Sequence, residues 1–90
     1  MPKAEISWKR TTEDGKPLQV NAQRVGREWR FSHREKRFDQ WMAVAEPPLE
    51  DWLELLDGVQ RRIQRRLLRP EEELRVKKRI IELFPGTKLP

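Results

Sequence analysis

The sequence predicts an α+β fold: a three- to four-stranded antiparallel β-meander followed by two antiparallel α-helices packed on one sheet face. Three observations lead there. Apolar residues across 5–45 recur with a period of two, the spacing of strands that bury one face. From Leu49 onward they recur at intervals of three and four, as on an amphipathic helix. Pro47, Pro48, Pro70 and Pro85 fall where the period changes or a helix must begin or end.

The expected first strand alternates Ile6 and Trp8 with Ser7 and Lys9, and the second alternates Leu18, Val20 and Ala22 with Gln19, Asn21 and Gln23. Glu13-Asp14-Gly15 joins them. A two-residue turn would set Trp8 opposite Asn21, whereas a three-residue loop sets it opposite Val20 and Ile6 opposite Ala22, and Gly15 suits the left-handed last position of that loop. The third strand carries Trp29 and Phe31 between Glu28, Arg30 and Ser32. A loop of two or four residues around Val25-Gly26 pairs Ala22 with Trp29 and Val20 with Phe31. Val25 suits a primed two-residue turn poorly, which favours four residues, 24–27. The charged connection Arg34-Glu35-Lys36-Arg37 contains no Gly or Pro and leaves the register of a fourth strand, 40–45, open.

Pro47 and Pro48 end the meander, and Glu50 and Asp51 meet the positive end of the first helix. Leu49, Trp52, Leu53, Leu56, Val59, Ile63 and Leu67 form its expected apolar stripe, with Gly58 on the polar side. After a short link at Arg69, Pro70 and Glu71-Glu72-Glu73 open a second helix. It carries Leu74, Ile80, Ile81 and Phe84, with Val76 and Leu83 flanking, and Pro85-Gly86 stops it. The division is a flexible tail at 1–4, a single domain at 5–85 (meander 5–46, helical pair 47–85) and a C-terminal tail at 86–90.

Ninety residues suffice for one modest core, and four tryptophans supply much of its area because only 36% of the chain is hydrophobic. Trp8, Trp29 and Trp41 are expected inward on the sheet and Trp52 on the helical stripe. Met42 and Val44, opposite in parity to Trp41, are the expected exposed apolar edge. Without cysteine there is no disulfide, thiolate metal site or cysteine nucleophile. The start has no apolar leader and no run approaches a membrane span, so a soluble, cytoplasmic protein without membrane association is expected, as monomer or homodimer.

Twenty Lys+Arg against fifteen Asp+Glu give a net +5, a balance that favours anionic partners such as RNA or DNA. The densest cationic run is RRIQRRLLR, with Arg61, Arg62, Arg65, Arg66 and Arg69. At a spacing of four, Asp57 can pair with Arg61. In the next helix Glu71 can pair with Arg75, Glu73 with Lys77 and Lys78 with Glu82, leaving four arginines of the run without a local counter-ion. Guanidinium groups suit phosphate, although compensation of the helix C-terminus accounts for the same run without any ligand. Arg34, Lys36 and Arg37 are candidate auxiliary contacts. The outward sheet face (Lys9, Gln19, Asn21, Gln23, Arg30, Ser32) is basic and polar, and with the aromatics inward it is expected to be solvated rather than a base-stacking platform.

His33, the sole histidine, has no metal-binding partners or triad spacing, and Asp51, Glu54 and Asp57 read as a solvated acidic strip. No cofactor, metal site or catalytic residue is expected. The expected function is that of a small non-enzymatic protein that binds nucleic acid or the ribosome through the arginine-rich helical surface, and the alternative is a protein-interaction or self-associating module that uses the apolar edge.

Overall fold

Alternation and turn chemistry resolve into β1 (Glu5–Thr11), β2 (Pro17–Val25), β3 (Glu28–Arg34) and β4 (Met42–Val44), followed by α1 (Leu49–Gln64) and α2 (Pro70–Leu83). The structure is a computed structural model and describes residues 4–89. Residues 1–3 of the expected N-terminal tail and Pro90 of the expected C-terminal tail lie outside the described residues. The chain divides at Pro47/Pro48 into a sheet unit and a helical unit.

The strands form one antiparallel sheet in the order β1-β2-β3-β4. In the first hairpin Trp8 lies opposite Val20 and Ile6 opposite Ala22, the register expected of a three-residue loop. The Thr12 N–H donates to the Lys16 carbonyl at 2.8 Å and the Gly15 N–H to the Thr12 carbonyl at 2.9 Å. Gly15 takes φ +81°, where a Cβ would be strained.

The second hairpin corrects an expectation. Val25 pairs with Glu28, so the connection is the two residues Gly26-Arg27, and Ala22 lies opposite Phe31 and Val20 opposite His33. Gly26, with φ +64°, occupies the first central position, where a type II′ turn requires glycine. Val25 therefore need not enter the turn. The shift from the expected pairing is two residues, and the buried face is preserved. Ile6, Leu18, Val20, Ala22, Trp29 and Phe31 are all buried on that face. Trp8 meets Phe31 edge-on at 6.1 Å between ring centroids.

The fourth strand is short and its faces are the reverse of those expected. Phe31 pairs with Val44 and His33 with Met42, which puts Met42 and Val44 on the Phe31 face and Trp41 on the outer one. Met42 is exposed, as expected, but Val44 is only partly so, and Trp41 is 41% exposed rather than core. Asn21, expected to be solvated, is buried in the centre of the outer face between Ser7 and Ser32.

In the helical unit α1 buries Trp52, Leu55, Leu56 and Val59, while Leu53, expected on the stripe, is exposed. Asp51 belongs to the buried side and not to an exposed acidic strip. In α2 the buried row is Glu72, Val76 and Ile80, with Leu74, Ile81 and Leu83 exposed. Gln60 donates to the Glu73 carboxylate at 3.0 Å and so ties the C-terminal half of α1 to the first turn of α2, as an antiparallel pair requires. That bond, with help from Lys77, holds the Glu73 carboxyl below its ordinary range.

α1 stops at Gln64 rather than running toward Arg69. The Arg66 N–H donates to the Ile63 carbonyl at 2.9 Å and the Leu67 N–H to the Arg62 carbonyl at 2.8 Å. This is the paired bonding of a Schellman terminus, whose left-handed position is usually glycine. Here Arg66 holds it, at φ +61°. A left-handed non-glycine residue costs about 1–2 kcal/mol. Arg66→Gly is accordingly expected to stabilise the protein by about 1 kcal/mol, read as a rise of roughly 4–8 °C in thermal midpoint. An unchanged or lowered midpoint would show that the arginine side chain offsets the backbone cost.

Candidate nucleic-acid interface

The end of α1 distributes the five arginines of the basic run over 61–69. Arg61 and Arg62 occupy the last helical turn, Arg65 is the C-cap, Arg66 the left-handed residue and Arg69 the N-cap of α2. Arg61 is paired with Asp57 at 3.0 Å, as the spacing implied. Arg62 points Nη1 toward the Gly58 carbonyl at 3.5 Å. Arg65, Arg66 and Arg69 are exposed, and no ion pair among the described residues reaches them.

Glu72, Glu73 and Glu82 each form an ion pair within α2. Glu73 pairs with Lys77 at 3.3 Å as expected, but Arg75 joins Glu72 rather than Glu71, at 3.0 Å, and Arg79 rather than Lys78 joins Glu82, at 3.2 Å. Both changes replace a spacing of four with three. For Arg75 the cause is visible: Glu72 is buried and its carboxylate needs a cation, whereas Glu71 is exposed.

The auxiliary cations lie in the sheet unit. Arg34 ends β3, where its Nε donates to Gln19 Oε1 at 2.8 Å and its guanidinium lies 4.2 Å from the centroid of the Trp41 ring. Lys36 and Arg37 follow in a tight turn. The Asp39 N–H donates to the Lys36 carbonyl at 3.0 Å, and the Asp39 carboxylate accepts the Lys36 N–H at 3.1 Å. Phe38, within this turn, is 94% exposed. The sequence reading missed Phe38 and Trp41 as surface aromatics. The signal available was their place in REKRFDQW, among cations and outside any clear alternation.

Gln19 lies opposite both Lys9 and Arg34, so Lys9, Gln19, Arg34 and Trp41 form one row across the outer face. Beside it is a shallow concavity of about 270 Å³, lined by Ser7, Trp8, Lys9, Gln19, Arg34 and Trp41. His33 sits in the register between Val20 and Met42. Among the described residues no group of three or more His, Asp or Glu side chains is placed to hold a metal ion, and no helix is long and apolar enough to cross a membrane. Comparison with protein-family models, curated proteins and solved structures finds no match to this chain.

Proposed function

We propose that this chain is a non-enzymatic nucleic-acid-binding protein of the cytoplasm that contacts phosphates through Arg61, Arg62, Arg65, Arg66 and Arg69, with Arg34, Lys36 and Arg37 as auxiliary cations. One observation carries the reading. Arg61, Arg75, Lys77 and Arg79 are each matched to a carboxylate, yet Arg65, Arg66 and Arg69 stand exposed outside every ion pair among the described residues. Compensation of a helix terminus acts within its last turn and does not call for a cation in a strained left-handed position beyond it.

Charge attraction of this kind recognises phosphate more than sequence. The expected result is saturable binding of fluorescein-labelled RNA or DNA by anisotropy at 50 mM salt, falling steeply at 200 mM. Absence of binding at 50 mM would leave the net +5 as ordinary surface charge. It would also turn the question to the second reading, a protein-interaction module, which the exposed Met42 on the short edge strand favours. Binding insensitive to salt would remove the arginines as phosphate contacts.

A further inference from the structure

We propose that the outer-face row Lys9–Gln19–Arg34–Trp41, together with Phe38 of the adjoining β3–β4 connection, is a stacking site for the unpaired bases of single-stranded nucleic acid. The inference rests on the nucleic-acid reading above and goes beyond it, because it assigns base contact to residues other than the arginines of 61–69.

The guanidinium of Arg34 is fixed from two sides. Gln19 accepts from its Nε, and the Trp41 ring lies 4.2 Å away. A planar cation held against an indole, both lining a concavity shared with Ser7, Trp8, Lys9 and Gln19, is a flat platform with polar neighbours. Bases stack on aromatic rings and on arginine planes alike. Phe38 supplies a second ring a few residues away, and the Lys36–Asp39 turn holds that segment in place. Its 94% exposure leaves the ring almost wholly in water, where it contributes nothing to the core.

The row and the β3–β4 connection carry the cations Lys9, Arg34, Lys36 and Arg37, with Lys16 in the first turn at the same end of the sheet. Four carboxylates stand at this end, Glu13 and Asp14 in the first turn and Glu35 and Asp39 in the connection, and the Asp39 carboxylate already accepts the Lys36 N–H. The other outer-face carboxylates, Glu5 and Glu28, lie beyond the Ser7–Asn21–Ser32 row. Alternation of cations with exposed rings suits a single strand, in which bases can splay from the backbone. A duplex keeps its bases stacked and offers only phosphates.

Anisotropy of fluorescein-labelled U12, dT12 and a 12-base-pair DNA duplex, titrated with the full chain, tests this. The wild type is expected to prefer both single strands to the duplex. Phe38→Ala and Trp41→Ala are each expected to weaken single-strand binding by about 5- to 150-fold, the range for loss of one stacked base, while leaving duplex binding and the salt slope nearly unchanged. Trp41→Phe should restore much of the loss. Circular dichroism checks the fold, and the exposure of Phe38 makes its variant a safe one. Single-strand affinity unchanged in the Phe38→Ala/Trp41→Ala double variant would overturn the proposal while leaving the arginine reading intact. Equal affinity for strand and duplex would do the same. Conversion of a dimer to a monomer by the double variant, seen by light scattering, would assign the face to a second copy of this chain instead. Failure of the wild type to bind any of the three probes would remove both readings.

Discussion

Truncation of Leu55 to alanine is expected to lower the unfolding free energy by about 2–5 kcal/mol, whereas Leu53→Ala costs under about 1 kcal/mol. Both residues are leucines on α1, two positions apart. Leu55 is fully buried, so its removal forfeits the transfer of its methyl groups from water and leaves a cavity that close-packed neighbours refill only in part. Leu53 is 37% exposed and leaves no sealed void. A ninety-residue chain has about 4–14 kcal/mol of total stability, so the first loss is a large share of the whole. In urea the Leu55 variant should unfold at a midpoint about 1–2 M lower with an unchanged slope. Equal effects at the two positions would contradict the orientation of α1.

Replacing Arg65, Arg66 and Arg69 together with alanine is expected to weaken binding to a single strand about 100- to 1,000-fold at 50 mM salt. The estimate follows from counterion release. Each phosphate contact contributes about 0.7 to the slope of log affinity against log salt for single strands, so three lost contacts reduce that slope by about 2. The slope decides the matter better than the affinity, because a misfolded variant loses affinity without a defined change in salt response. A variant that keeps the wild-type slope would place the phosphate contacts elsewhere. Arg66→Gly isolates one contact. It should reduce the slope by about 0.7 while stabilising the fold, so that stability and affinity move in opposite directions.

The parts of the fold legible in the sequence are those where two independent signals meet. In the first hairpin, alternation and the need for a left-handed glycine at Gly15 agree on one register. In the second they do not jointly decide. A slip of two residues keeps Val20, Ala22, Trp29 and Phe31 on the same face, so alternation is blind to it, and only the role of Gly26 separates the pairings. Trp41 was misplaced because 34–37 offers no turn residue to anchor β4, and a slip of one residue reverses every side chain. On α1 the choice between Leu53 and Leu55 turns on which residues flank Trp52 and Leu56 in the packed pair, which periodicity alone does not resolve. The end of α1 gave least warning, since the usual glycine of that terminus is replaced by arginine. The candidate arginines were visible as a run, but that Arg65, Arg66 and Arg69 lie outside every ion pair among the described residues follows from the end of α1 at Gln64, which the run does not announce.

The sheet order β1-β2-β3-β4 also bears on how fast the sheet unit forms. No strand waits for a distant segment, and each pairs only with its neighbour in the chain. Closing the two tight turns and the one longer connection carries a small loop-entropy cost, and local topologies of this kind cross their folding barrier in roughly milliseconds. A stopped-flow refolding experiment followed by tryptophan fluorescence should therefore show its main phase on that scale. The interval in which an unpaired strand is open to association with other chains is correspondingly brief.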